Sequence, residues 1–290
     1  MLVLNSLTVF QNTLVRFIDH SKQEKIFNQP NKALTSFAID DAIATSVGDY
    51  EVEATARIWV HDKTIVLGIP DTRLPYLEQG LHYLQEHHYK AVVRNSGGLA
   101  VALDKGVVNL SFIIPNTSKV SINDGYDIMY AFVQQLFQPF TTDIKAYEIV
   151  GSYCPGNYDL SINGVKFAGI SQRRVRNGIA IQIYLDVEGD SKERARIVRQ
   201  FYSLSKQDET TNFTYPDVNP NVMGTINELI HTSFTVDDVI QMIKQTLMEL
   251  GAEVKIGNVM LSEENVFHKR FEQMQKRNEK IHIIKNRLQE

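Results

Sequence analysis

The chain holds one cysteine, Cys154, within the run Gly151-Ser152-Tyr153-Cys154-Pro155-Gly156-Asn157-Tyr158-Asp159. A lone thiol among small, turn-forming residues is a candidate nucleophile; the structural alternative is a small buried hydrophobe with an inert sulfur. To attack carbon it must be a thiolate, so a cation has to act on a thiol whose free-solution pKa is about 8.5. Lys166 is the candidate cation. Asn163-Gly164 marks a two-residue hairpin turn, because both positions of a type I′ turn need positive φ. Around that turn Ile162 should pair with Val165, Ser161 with Lys166 and Leu160 with Phe167. Leu160, Ile162, Val165 and Phe167 then share an apolar face, and Asp159, Ser161, Lys166 and Ala168 take the other. Such a lysine is ordinarily exposed to solvent, yet its strand is close enough in sequence to Cys154 for the two side chains to meet.

A second candidate is Arg94-Asn95-Ser96-Gly97-Gly98-Leu99-Ala100-Val101, which follows the apolar Ala91-Val92-Val93. Paired glycines let a backbone approach a ligand and present N–H donors. The segment is neither a Walker loop nor a dinucleotide fingerprint, lacking a following Gly-Lys-Ser/Thr and a Gly-x-Gly-x-x-Gly pattern. Ser171-Gln172-Arg173-Arg174-Val175-Arg176 forms a basic cluster that is either a solvated face or a landing site for an acidic protein. His82, His87 and His88 have no metal-ligand spacing, and a single cysteine excludes a Cys-only metal site, so no metal is expected.

Composition narrows the class. With 30 Lys plus Arg against 34 Asp plus Glu, the net charge of −4 gives no reason to expect a nucleic-acid partner. One cysteine excludes an intrachain disulfide framework and fits a reducing cytosol. Met1 to Phe10 is apolar without a basic leader, and Asn5, Ser6 and Asn12 interrupt it, so no export signal is expected. Nowhere does an apolar run reach the roughly eighteen residues a membrane span requires. A soluble cytoplasmic protein is the expectation.

The elements that must position these groups come from hydrophobic periodicity. Ala54 to Ile69 reads as a hairpin interrupted at His61-Asp62-Lys63, and Ala91 to Ile114 as a second strand pair around Asp104-Lys105-Gly106. Leu77, Leu81, Leu84 and His88 mark a helix face between Tyr76 and Tyr89. Asn123 or Asp124 can cap a helix with Tyr126, Met129, Phe132, Val133, Leu136 and Phe137 on its apolar side, ended by Pro139. Tyr147 to Tyr184 has strand character. Asp190 to Glu193 opens a helix toward Tyr202, and Thr235 caps another over Val236 to Leu250. The polar run from Ser205 to Gly224 is a long surface connection able to cover a site. Val266, Phe267, Phe271, Met274, Ile281, Ile284 and Leu288 predict a C-terminal helix. Together these give an α+β fold, a mixed and largely antiparallel sheet flanked by helices. The expected divisions are an N-terminal extension over 1–38, a catalytic domain over 39–250 and a C-terminal helical extension over 251–290.

Arg94-x-Ser96-Gly97-Gly98-x-Ala100-Val101, Asp104-Lys105-Gly106-Val107-Val108-Asn109-Leu110-Ser111 and Asn163-Gly164-Val165-Lys166-Phe167-Ala168-Gly169-Ile170-Ser171-Gln172 together resemble the biotin/lipoate protein ligase and octanoyltransferase superfamily. Tyr153-Cys154-Pro155-Gly156-x-Tyr158-Asp159-Leu160-Ser161 ahead of the lysine motif is most similar to the octanoyl-[glycine cleavage H protein]:protein N-octanoyltransferases. The resemblance implies an acyl-thioester on Cys154, with Lys166 depressing the thiol's pKa. It also implies an acyl and substrate pocket built from Arg94, Ser96, Gly97, Gly98, Leu99, Gly156, Gly169 and Ser171, with Val93, Leu99 and Val101 as wall material. No dissociable cofactor is implied. The implied donor is glycine cleavage H protein, and the implied acceptors are lipoyl domains of 2-oxoacid dehydrogenase complexes. The ATP-dependent lipoate ligases differ: their paired arginines are here Val93-Arg94, their third glycine is Leu99 and the histidine before their aspartate is Leu103. Alternatives are transfer from octanoyl-acyl carrier protein, ATP-dependent lipoate ligation and a non-catalytic acyl- or protein-binding module.

Overall fold

The computed structural model describes residues 6–116 and 120–287. Met1 to Asn5 of the apolar N-terminal stretch and Leu288 of the C-terminal pattern lie outside the described residues.

Strands β1 (Leu14–Asp19), β4 (Ala54–Trp59), β8 (Val107–Pro115), β9 (Lys145–Ala146), β10 (Asp159–Ile162), β11 (Val165–Val175), β12 (Gly178–Asp186) and β13 (Glu253–Ile256) build an eight-stranded sheet. Its order is β13-β1-β4-β8-β12-β11-β10-β9, parallel at β13-β1 and β1-β4 and antiparallel elsewhere, as the fold class anticipated. Strands β5 (Thr64–Leu67), β6 (Lys90–Val93) and β7 (Val101–Leu103) form a separate sheet in the order β6-β5-β7. A short ribbon pairs β2 (Lys25–Ile26) with β3 (Gln29–Pro30).

Two expected hairpins are therefore corrected. β4 and β5 do not pair; β4 lies between β1 and β8, while β5 pairs with β6 and β7. β7 and β8 likewise belong to different sheets. The polar links at His61-Asp62-Lys63 and Asp104-Lys105-Gly106 carry the chain from one sheet to the other. β-Branched runs mark strands, but they do not say which partner wins.

The helices are α1 (Ala33–Gly48), α2 (Leu77–Glu86), α3 (Ile122–Phe137), α4 (Ser191–Lys206), α5 (Ile226–Ile230), α6 (Val236–Glu249) and α7 (Leu261–Arg287). Ser121, rather than Asn123 or Asp124, is the N-cap of α3; Asp124 completes its capping box from the third helical position. Asp190 and Thr235 cap α4 and α6 as their sequences indicate. The apolar face of α2 ends at Leu84, and His88 lies exposed beyond the helix with φ 63°. Residues 1–38 supply β1 to the main sheet, position 38 falls inside α1, and residues 251–290 supply β13 before α7.

One face of the main sheet packs against α3 and α6; the other meets α1, and the apolar cluster on that side continues through the small sheet, α2, α4 and α7. Polar residues punctuate the α1 side. Arg57 donates to Asp40 Oδ1 at 2.8 Å, and Asp40 Oδ2 accepts from Ser111 and Gln182, each at 2.6 Å. Arg57 Nε also donates to His20 Nδ1, leaving the histidine's Nε2 to face Asn258 Oδ1. These buried charges are tolerated because each is paired and hydrogen-bonded. Together they fix α1 over the strands that floor the cavity described next.

Candidate active site

A cavity of about 680 Å³ opens between the small sheet, β11, β12 and the Cys154 loop. Arg94, Ser96, Gly97, Gly98, Cys154, Gly156, Gly169 and Ser171 all line it, with Phe37, Trp59, Val66, Val101 and Leu103 forming apolar wall. Val93 and Leu99 do not line it; their side chains are buried in the apolar core around the small sheet. Lys166 is also absent from the wall. It is fully buried behind the cysteine loop, and the exposure ordinary for such a lysine does not occur.

The burial follows from what covers that side of the hairpin: the Tyr153 and Cys154 carbonyls and Met223 of the 205–224 connection lie against Lys166, while the pairing departs from the expected register only beyond it. Ser161 pairs with Lys166 and Ile162 with Val165, as expected, but Leu160 faces Ala168 instead of Phe167 across a bulge at Leu160/Ser161. The bulge admits one extra residue on β11, and bulges re-aim side chains beside functional sites. Asn163 and Gly164 take the positive φ values, 51° and 80°, that the turn requires.

Lys166 Nζ meets four oxygens: Asp159 Oδ1 at 2.8 Å, Tyr153 O at 2.8 Å, Cys154 O at 3.0 Å and Ser152 Oγ at 3.2 Å. Asp159 Oδ2 accepts from the Ile149 N–H and the Ser152 hydroxyl, so one ion pair ties together both ends of the Cys154 loop. Burial pushes the Asp159 carboxyl above the usual range, and the Lys166 charge opposes that rise. Cys154 itself has φ 47°, a left-handed conformation that costs about 1–3 kcal/mol for a residue with a side chain. The ammonium on its own carbonyl and on that of Tyr153 holds the loop there. Asn219 N–H donates to Gly151 O and Gly224 N–H to Lys166 O, so the 205–224 connection braces both the loop and β11.

The sulfur is served from the other side. Arg94 Nη2 lies 3.3 Å from Cys154 Sγ and Leu99 N lies 3.2 Å from it, both as donors. Arg94 Nη2 also donates to Leu99 O at 2.9 Å, folding the Gly97-Gly98 loop over the sulfur. Gly98 has φ 105°, and a Cβ there would fall 2.1 Å from Arg94 Nη2 and 2.9 Å from Sγ. The loop rests on the end of β5, where a Cβ on Gly68 would stand 1.8 Å from Gly98 O. Tyr202 supports it by accepting from Ala100 N at 3.0 Å and donating to Asp71 at 2.9 Å.

Two N–H donors converge on the one sulfur, from Arg94 and from Leu99. Arg94 Nε and Ser96 Oγ belong to wall residues and have no hydrogen-bond partner among the described residues; a bound amide or carbonyl would satisfy them. Sequence reasoning assigned no part to Asp159, Tyr202 or Asp71. Asp159 was legible as a neighbour of Lys166 on the hairpin's polar face, whereas Tyr202 and Asp71 carry no local signal.

A site of this build has known counterparts. The lipoyl protein ligase A/B catalytic domain matches residues 32–248. The chain belongs to that family, and it is an enzyme. It is 55% identical over 273 residues to the octanoyl-[GcvH]:protein N-octanoyltransferase of Oceanobacillus iheyensis, covering 93% of this chain and 97% of that protein. It is 41% identical over 275 residues to the lipoyl-[GcvH]:protein N-lipoyltransferase of Listeria monocytogenes, covering 94% and 98%. Among solved structures, lipoate-protein ligase A bound with ATP superposes with TM-score 0.65 at 17% identity, covering 90% of this chain and 95% of that one. A bi-partite lipoate protein ligase from Thermoplasma acidophilum gives TM-score 0.62 at 16% identity, covering 90% and 92%. These two likenesses concern the fold. In this chain the amide of Leu99 is engaged by sulfur.

Proposed function

We propose that this enzyme is an N-octanoyltransferase that takes an octanoyl or lipoyl group from a lysine of glycine cleavage H protein. The group passes to a lysine on the lipoyl domains of 2-oxoacid dehydrogenase complexes, with Cys154 carrying it between them as a thioester. The observation that carries this reading is a sulfur in a largely apolar cavity, receiving two N–H donors, with a buried ammonium on its own main-chain oxygen.

The Cys154 thiolate attacks the carbonyl carbon of the donor amide; the C–S bond forms and the C–N bond breaks. The departing nitrogen must take a proton, since an amide nitrogen is a poor leaving group until protonated, and Lys166 supplies it once the Tyr153 and Cys154 carbonyls release its ammonium toward the cavity. In the second half the acceptor ε-amine attacks the thioester carbon and gives up a proton to the now neutral Lys166, and the thiolate leaves. As the sulfur becomes bonded to carbon, the Leu99 N–H is free to turn to the carbonyl oxygen, where negative charge develops. One amide replaces another, so no nucleotide is needed. The acyl tail runs along Val66, Val101 and Leu103 toward Phe37 and Trp59, a mostly apolar path of the kind that binds hydrocarbon.

Intact-mass measurement after mixing the enzyme with octanoylated H protein tests this. Wild type should gain one octanoyl group, removable by hydroxylamine, and pass it to a lipoyl domain without ATP; Cys154→Ala should gain none. Labelling that survives in Cys154→Ala, or that needs ATP and free octanoate, defeats the proposal.

A further inference from the structure

Helix α7 reaches the strand that leads into Arg94 through the side-chain amide of Asn278. Asn278 is buried at 1% exposure, and its Oδ1 accepts from Val93 N at 2.7 Å while its Nδ2 donates to Val93 O at 3.1 Å and to Met274 O at 2.8 Å. One acceptor against an N–H and two donations to carbonyls fix which way the amide points. Val93 ends β6, the edge strand of the small sheet, whose other side pairs with β5. An unpaired edge leaves main-chain groups to be satisfied, and Asn278 satisfies both of those of the last residue before Arg94. Phe267, Met274, Ile281 and Ile284 of the same helix are buried in the core with α1, so the amide is held on a rigid support.

Arg94 continues from that clamp. Its N–H bonds Leu67 O at 2.9 Å, and its guanidinium, 93% shielded with the rest of the residue at 7% exposure, reaches Leu99 O and Cys154 Sγ. Among the described residues it makes no salt bridge, whereas the Lys166 ammonium is paired with Asp159. A cation with a carboxylate at 2.8 Å presents a dipole to its surroundings, and its three N–H bonds are already shared among four oxygens. The Arg94 guanidinium has no carboxylate at contact distance; Asp71 is coupled to it only from farther off, so most of its charge is left for its surroundings.

We propose that Arg94, rather than Lys166, is the cation that holds the Cys154 thiolate, and that Asn278 of α7 is the positioning residue that aims it. The proposal deepens the acyl-transfer reading, since it assigns the charge that the nucleophile of that reading requires. It also divides the labour: Arg94 is a fixed charge that never yields its proton, and Lys166 is the group that moves one. The other titratable groups facing the pair are Asp159 and Lys166 behind the loop, Tyr126 on α3, Tyr184 on β12, Tyr202 on α4 and Asp71. Burial raises all three phenols, so they stay neutral over the range in which a thiol titrates.

Cys154 is the chain's one thiol, so the pH dependence of iodoacetamide alkylation reads it alone, with no substrate. Arg94→Gln should move the alkylation midpoint upward by about one to two pH units, within the usual effect of one close opposite charge. Arg94→Lys should recover part of that shift. Asn278→Leu should move the midpoint in the same direction by a smaller amount, and Lys166→Met by less than Arg94→Gln. A midpoint that ignores Arg94→Gln, or that follows Lys166→Met more strongly, overturns the assignment. An Asn278→Leu variant that melts earlier while keeping the wild-type midpoint overturns the positioning role. Octanoylation of the same samples by H protein is scored separately: a shifted midpoint without any octanoyl adduct on wild type would sink the transfer reading and leave Arg94's role standing.

Discussion

Lys166 Nζ lies 2.8 Å from Asp159 Oδ1, and both side chains are shut away from solvent beneath the Cys154 loop. Removing one member of such a pair strands the other charge, at a cost of about 3–5 kcal/mol. Asp159→Asn should therefore lower the melting temperature and slow acyl-enzyme formation together. Lys166→Met should also abolish proton transfer, with a loss of roughly 10²–10⁴ in single-turnover acylation. Rapid-quench mass spectrometry with parallel thermal unfolding separates the two effects. Full acylation rates in Lys166→Met would remove the lysine from the mechanism.

Gly98→Ala places a methyl where Arg94 Nη2 and the sulfur now stand, in a backbone region that disfavours side chains. The expected outcome is a folded protein, by circular dichroism, with acyl-enzyme formation down by at least about 100-fold, because a misplacement of about 1 Å near reacting atoms costs that much. Gly97→Ala serves as the comparison, since a Cβ there meets nothing within 4 Å and should be far milder.

His61 supplies a pH test of the core. Burial, assisted by the Arg57 and Lys90 charges, lowers its pKa to about 3 from an ordinary 6.5. Below pH 6.5 the unfolded chain binds a proton that the folded one refuses, so this contribution to stability is complete above that pH and fades as pH falls toward 3. At pH 5 the difference amounts to about 2 kcal/mol, at 1.36 kcal/mol per unit. Melting temperatures of wild type and His61→Gln should converge or cross as pH drops from 7 to 5. Parallel curves would mean that the imidazole charges freely inside the fold.

Of the three arginines expected to steer acidic carrier domains, two have internal carboxylate partners. Arg173 donates twice to Asp41, at 3.0 and 3.2 Å, and Arg176 meets Asp49 at 3.1 Å. Among the described residues Arg174 bonds Gln172 alone, and it lines the cavity. In stopped-flow association with the carrier proteins, Arg174→Glu should cause most of the salt-sensitive slowing. Arg173→Glu should mainly destabilise the fold by facing Asp41. Association that is equally fast and equally salt-independent in Arg174→Glu would exclude the steering role.

What the sequence disclosed was local. The turn at Asn163-Gly164, the caps at Asp190 and Thr235, and the loop character around Cys154 each depend on a few neighbouring residues, and all were legible. Strand partners were not, because Ala54–Trp59 and Thr64–Leu67 have the same β-branched character and yet join different sheets. The burial of Lys166 escaped because the groups that cover it, the carbonyls of Tyr153 and Cys154 and the Met223-Gly224 segment, come from outside its hairpin. The contact from Arg94 to the sulfur spans 60 positions and the Asn278 clamp spans 185. No periodicity within one element encodes such distances.

The parallel seam between β1 and β13 joins nearly opposite ends of the polypeptide, and the amide that grips Val93 arrives later still. Long-range closures of this sort are slow to form, because the loop-closure entropy is lost before the contact rewards it. During synthesis, then, the ribosome has extruded the sulfur, the lysine and the glycine pair well before the residues that lock the edge strand emerge. A nascent chain still lacking residue 278 holds the sulfur, the lysine and the glycine pair without the amide that clamps Val93.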